Sequence, residues 1–243
     1  MTKEKIENPE KEKQLEILRE KEFVRLKGRL VQMGTNKPLP CLFEGFRKNE
    51  IPVHQVEAKP FWICRVKVTN VFYESIIRGH KRPLQGENDN MPVTDITYGE
   101  AIRFCEKLNK QTKMRFRLPT EPEWVFAAAP GGWEYIHKGE KPNIAYGHVY
   151  NDGCKEFIVE VKDSRWPVNY FGLHQMGHNV SEMTYGTYYT QGNYGFETDG
   201  MYYIIRGGNY GHCKFGLGVH RRVIVDIADR NPRIGFRLAH DDI

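Results

Sequence analysis

The stretch from Met91 to Ala129 constrains this chain more than any other, because it writes two helix starts on either side of a short basic turn. Thr97-x-x-Glu100 and Thr120-x-x-Glu123 both have capping-box form: the hydroxyl can take the N3 amide, and the carboxylate can return to the N-cap amide. After the first box, Ala101, Phe104, Cys105 and Leu108 recur at i, i+3, i+4 and i+7, so one helical face carries an apolar stripe and belongs to the core. After the second, Glu121, Pro122 and Glu123 fill the first turn, where carboxylates meet the positive helix end and a missing amide hydrogen costs little. Pro130-Gly131 ends that run, so the second helix is short.

Helices of this kind must be embedded in a loop-rich body, since 243 residues carry 23 glycines and 13 prolines with 40% hydrophobic content. The length suits one irregular α+β domain with little regular secondary structure, over residues 29–243, preceded by an arm at residues 1–28. In the arm, Lys and Glu alternate with Leu15, Ile17, Leu18, Phe23 and Leu26, which predicts a helix from roughly Glu10 to Leu26. Its apolar face is narrow, so it needs a partner. The body of the same chain and a neighbouring subunit or protein partner are equal candidates for that role.

The sequence contains no apolar run of membrane-spanning length, and MTKEKIENPEKEKQ lacks the apolar centre of a secretory signal. No membrane association is expected, and a cytoplasmic or virion location is. A net charge of +5 spread along the chain argues against nucleic acid as a partner. Cys41, Cys64, Cys105, Cys154 and Cys213 show no finger spacing; Cys64 and Cys105 sit in apolar patterns and read as reduced, buried thiols.

Between Thr184 and Tyr203 tyrosines alternate with glycines, giving stiff amphipathic contact groups on an adaptable backbone. Tyr185, Tyr188, Tyr189, Tyr194 and Tyr210, with Arg221 and Arg222, are candidate ligand-binding residues. The competing reading is that tyrosines cover the loops of an irregular fold.

The blocks Pro92-Val93, Arg117-Leu118-Pro119-Thr120-Glu121 and Glu123-Trp124 have ordered companions. Upstream lie Met33-Gly34, Pro52-Val53-His54, Phe61-Trp62-Ile63 and Val68-Thr69-Asn70. Downstream lie Asn169 to Leu173, Gly177 to Glu182, Arg206-Gly207-Gly208-Asn209 and Gly235-Phe236-Arg237-Leu238. Together they resemble the formylglycine-generating enzyme (sulfatase-modifying factor) family, which implies a C-type-lectin-like fold. In that family the arginines matching Arg117 and Arg237 tie loops to carboxylates.

The same resemblance bears on chemistry. The family's copper-thiolate oxidase activity depends on a pair of cysteines whose positions here hold His212 and Leu217, which cannot supply two soft sulfur ligands. Copper is therefore not expected. The resemblance also implies calcium at two sites. One maps onto the side chains of Gln175 and Glu182 with the backbone carbonyls of His178 and Val180; the other maps onto Asn143, Ile144 and an acidic residue such as Glu160. Two functional readings follow. The first is a non-catalytic binding or structural module, a pseudoenzyme displaying its Tyr-rich loops within a larger assembly such as a phage particle. The second is a metal- and oxygen-dependent oxidase using His212, Cys213 and His220.

Overall fold

The computed structural model describes residues 22–34, 52–112, 114–128, 158–164, 168–187, 200–211 and 222–241. Its central sheet is organised by β4 (Phe61–Cys64), a run of apolar residues that pairs antiparallel on both sides. On one side lies β1 (Phe23–Leu26), with Phe23 opposite Cys64 and Leu26 opposite Phe61. On the other lies β10 (Ala239–Asp241), which in turn pairs with β5 (Phe116–Arg117). Both ends of the described chain are thus stitched into one sheet.

Period-2 alternation along β4 divides the core in two. Cys64 faces one apolar cluster, and Trp62 packs against it, together with Phe23, Phe104, Leu108, Phe116 and Phe236. Phe61 and Ile63 face the other, with Trp124, Phe126, Leu173 and Met176. The second cluster is covered by a two-stranded ribbon of β2 (Arg29–Met33) and β3 (His54–Ala58), from which Val31, Met33 and Ala58 point inward.

Three α-helices are found among the described residues. The first, α1 (Asn70–Ile76), is capped by Thr69, whose hydroxyl accepts from the Phe72 amide. In α2 (Tyr98–Thr112) the stripe Ala101, Phe104, Cys105 and Leu108 is buried as the periodicity requires. The third, α3 (Glu121–Ala128), is short and buries Trp124, Val125 and Phe126. Both capping boxes are formed: the Thr97 amide donates to Glu100 Oε2 at 2.9 Å and the Glu100 amide to Thr97 Oγ1 at 3.2 Å, with 2.7 and 3.4 Å for the Thr120–Glu123 pair.

A second four-stranded sheet has the order β8 (Arg222–Asp226), β7 (Tyr202–Arg206), β6 (Ser181–Thr187), β9 (Ile234–Gly235). Only the β6–β9 pair in it is parallel. Met183, Tyr203, Ile205 and Ile234 join the α2 side of the core. Two antiparallel sheets, one mixed sheet and three helices among the described residues are the α+β architecture of low regularity that the sequence predicts.

The N-terminal expectation needs correction. Residues 23–26 do not end a helix: they form β1, with Phe23 6% and Leu26 2% exposed. Phe-Val-Arg-Leu is a β-prone tetrapeptide, and the ladder it makes with β4 outweighs the helix propensity of the Lys/Glu run before it. A boundary at residue 28 would cut this strand from its sheet, while residues 10–21, where the rest of the helix is expected, lie outside the described residues.

Candidate metal centre

Three side chains, two of them cationic, converge in the interior on Glu182, near the start of β6. Arg237, from the Gly-Phe-Arg block, donates from Nε to Glu182 Oε2 and from Nη2 to Oε1 at 2.9 Å; Trp124 Nε1 donates to Oε2 at 2.9 Å. Lys67 Nζ stands 3.1 Å from Oε1. Lys67, Arg237 and Glu182 are each at most 1% exposed, so the charges answer one another rather than water.

The loop entering β6 completes the arrangement with backbone oxygens. Lys67 Nζ donates to the Gln175 carbonyl at 2.7 Å and to the His178 carbonyl at 3.2 Å. Gln175 (φ 54°) and Asn179 (φ 68°) both take left-handed backbone conformations, and these reversals wrap the loop around the ammonium. Asn tolerates that region because its short amide bonds locally. Here Asn179 Nδ2 donates to the Val159 carbonyl and to Gln175 Oε1, while its Oδ1 accepts from the Val159 amide. Gln175 Nε2 donates to the Glu160 carbonyl at 2.6 Å.

Burial lowers the Lys67 ammonium to about 8, and the Glu182 carboxylate beside it limits the fall. Burial by itself would raise the carboxyl of Glu182, but Arg237 and Lys67 overcome it and hold the group ionised well below the usual carboxylate range. His178 is pushed down to about 3 by burial and by Lys67, so its ring is neutral near neutral pH.

Of the oxygens expected to bind calcium, the His178 carbonyl and the Glu182 carboxylate meet at Lys67, whereas the Gln175 side chain does not join them: the Gln175 backbone carbonyl stands there instead, and Val180 is buried at 1% exposure. The set does not fit the ion. Calcium needs six to eight oxygens at about 2.3–2.6 Å, and a cation at that range from Gln175 O, His178 O and Glu182 Oε1 would overlap Lys67 Nζ. The Gln175 amide is also committed to Glu160 and Asn179 instead of the centre. Among the described residues no group of three or more His, Cys, Asp or Glu side chains is placed to hold a metal. Asn143 and Ile144 lie outside the described residues, and the exposed Glu160 accepts from Asn88 Nδ2 at 3.0 Å.

Two further ion clusters fix the surroundings. Arg117 spans Glu123 and Asp241, so this arginine and Arg237 both tie loops to carboxylates as expected. Glu121 receives both Arg206 and Arg222. Burial pushes the Glu121 carboxyl up, but the two arginines more than reverse that and leave it below its usual range. Arg222, proposed from sequence as a ligand contact, is thus engaged by Glu121, with Nε at 2.6 Å. Sequence reading also missed Lys67; the one available signal was a lysine inside the apolar run Phe61 to Val68.

Of the other candidate ligand residues, Tyr185 is 52% exposed on β6, and Tyr210 donates its hydroxyl to the Pro232 carbonyl at 3.2 Å. Tyr188, Tyr189, Tyr194, His212, Cys213, His220 and Arg221 lie outside the described residues. A cavity of about 390 Å³, lined among others by Phe23, Val68, Phe72, Leu108, Phe116 and Leu238, touches neither Tyr185 nor Tyr210. Cys64 and Cys105 are buried, and burial pushes their thiols up to about 11 and about 12. No helix among the described residues is long and apolar enough to cross a membrane.

Comparison with known proteins places residues 7–242 within the model of the sulfatase-modifying factor enzyme 1-like domain. The chain is 24% identical to the inactive C-alpha-formylglycine-generating enzyme 2 of Bos taurus, covering 89% of this chain and 87% of that protein. It is also 24% identical to the serine/threonine-protein kinase pkn1 of Chlamydia pneumoniae, covering 79% of this chain but only 35% of the kinase's length. Among solved structures, PvdO from Pseudomonas aeruginosa superposes with a TM-score of 0.68 at 24% identity, over 90% of this chain and 94% of that one.

Proposed function

Because this chain belongs to the sulfatase-modifying factor enzyme 1-like family, we propose that it is a non-catalytic binding or structural module built on that family's scaffold. The observation that carries this reading is the replacement of the oxidase cysteine pair by His212 and Leu217. Cys64 and Cys105 offer no substitute, since a buried thiol with a raised pKa neither ionises near neutral pH nor reaches a substrate. One relative is itself described as an inactive formylglycine-generating enzyme, which is compatible with loss of chemistry on this scaffold.

The surface that supports binding lies where β6 ends and β7 begins. Tyr185 and Met201 are 52% and 47% exposed there. At Tyr185 the backbone is anchored: the Tyr185 amide donates to the Pro119 carbonyl at 2.8 Å and the Gly186 amide to the Tyr98 hydroxyl at 3.0 Å. An exposed ring on a fixed backbone suits a protein partner, whose apolar side chains such a group covers at little entropic cost.

The deciding experiment incubates the purified protein with copper, oxygen and a sulfatase-type CxPxR peptide and weighs the peptide by mass spectrometry. The expected result is an unchanged cysteine. Conversion to formylglycine would overturn the reading and make Cys213 and His212 the first residues to test.

A further inference from the structure

The ammonium of Lys67 occupies the place in this molecule where a bound ion would be sought. It is reached by two carbonyls of one loop, Gln175 at 2.7 Å and His178 at 3.2 Å, and by one carboxylate oxygen, Glu182 Oε1 at 3.1 Å. Three hard oxygen acceptors of net negative character converging on one point, out of solvent, form a cation cradle. Its occupant is covalently attached to the strand-like segment before α1. The Val68 amide, next in sequence, donates to the Phe236 carbonyl at 2.9 Å, so the lysine's own backbone is held against the segment that carries Arg237.

We infer that Lys67 is the resident structural cation of this fold: its ammonium holds the 175–182 loop in place of a calcium ion and makes the loop independent of calcium. The reasons are steric and electrostatic. The ammonium fills the centre of the oxygen set, and the cluster of Lys67, Arg237 and Glu182 carries two positive charges against one negative. A divalent ion would add further positive charge to an interior that already holds an excess. A lysine also carries three donors, and these are matched by the Gln175, His178 and Glu182 oxygens. The left-handed turns at Gln175 and Asn179, which bring the carbonyls round, are thus supported by a contact from outside the loop.

Substitution at position 67 tests this on the full chain. In Lys67→Asp the ammonium is replaced by a carboxylate. Because an aspartate is shorter, its side chain followed by a Ca–O bond of about 2.4 Å reaches nearly as far as the lysine stem does. Metal content is measured by mass spectrometry after equilibration with calcium and desalting, and melting temperatures are taken in EDTA and in calcium. Reading the variant against wild type cancels any calcium held elsewhere on the chain. The expected result is one more bound calcium per chain in Lys67→Asp than in wild type. A calcium-dependent rise in melting temperature should also be larger in the variant. Equal calcium content and equal calcium response in a folded variant would overturn the inference. Should Lys67→Asp fail to fold, Lys67→Gln decides. A melting temperature well below wild type, with cleavage by added protease moved into residues 173–180, supports it, and a wild-type melt and cleavage pattern refutes it.

Discussion

Arg237 and Glu182 face each other in a two-point contact, Nε to Oε2 and Nη2 to Oε1, with exposures of 0% and 1%. They come from strands or strand edges 55 residues apart, and the guanidinium further donates to the carbonyls of Cys64 and His174, both at 3.1 Å. A single pair therefore links the central sheet, the 173–180 loop and the second sheet. Such a pair owes its value to completeness: removing one partner leaves a buried charge with no answer.

The first prediction is that Glu182→Gln lowers unfolding free energy by about 3–5 kcal/mol, the range for breaking a buried pair by losing one member. Arg237→Lys should also be strongly destabilising, because an ammonium cannot make the two-point contact and reach two carbonyls as well. Equilibrium denaturation in urea measures both. A loss below about 1 kcal/mol for Glu182→Gln, the size of an exposed pair, would show the cluster to be solvated.

Acid should unfold the protein through the same centre. The folded Glu182 carboxyl lies below its ordinary value of 4.5, so its contribution is fully present above that pH and is lost as pH falls below it. His178 is lowered from 6.5 to about 3, so the unfolded chain takes up a proton that the folded chain refuses, and stability falls in the same direction between those values. Melting temperature should decline from pH 6.5 downward. In His178→Gln the decline between pH 6.5 and the carboxylate range should be shallower, part of it remaining because burial also lowers His174, and an unchanged profile would refute the assignment to His178.

Gly207 should not tolerate a side chain. Its φ is +76°, and a Cβ there would meet Gly177 Cα at 3.0 Å and the Trp124 ring at 3.1 Å. Trp124 is the indole that donates to Glu182, so strain would pass into the charge cluster. Gly207→Ala is expected to cost about 1–3 kcal/mol, from left-handed backbone strain plus crowding. Thermal melting with near-ultraviolet circular dichroism reads both the loss and any displacement of the indole.

Strand β1 makes the N-terminal segment divisible at a sharp point. Deleting residues 1–28 removes the buried Phe23 and Leu26 and uncovers an edge of β4, so cooperative unfolding should be lost. Phe23→Ala alone should cost about 3–5 kcal/mol. A truncation to residue 21 keeps β1 and should keep a single sharp transition. If the 1–28 deletion melts like wild type, β1 is dispensable to the sheet.

Thiol accessibility checks the buried cysteines. Cys64 and Cys105 should resist alkylation in the native protein and react in denaturant, because burial disfavours their thiolates. Peptide mapping of the labelled sites distinguishes them from the other three cysteines. Native labelling of Cys105 would contradict the packing of α2.

Local patterns determined a good part of this molecule. The Thr97 and Thr120 boxes, the Ala101–Leu108 stripe and the short run before Pro130 describe interactions that close within four or so residues, so the sequence contains both partners. The ordered family blocks, and the substitution of His212 and Leu217 for a thiol pair, are likewise legible without coordinates. Tertiary structure decided the rest. Phe23–Leu26 became a strand because β4 offered a ladder that the arm's own propensity could not foresee. The fate of the Glu182 oxygens turned on Lys67, and that of Glu121 on Arg206 and Arg222, residues whose distance along the chain hides their contact. A buried charge must find its counter-charge wherever the fold delivers it, and one chain's sequence does not state that pairing.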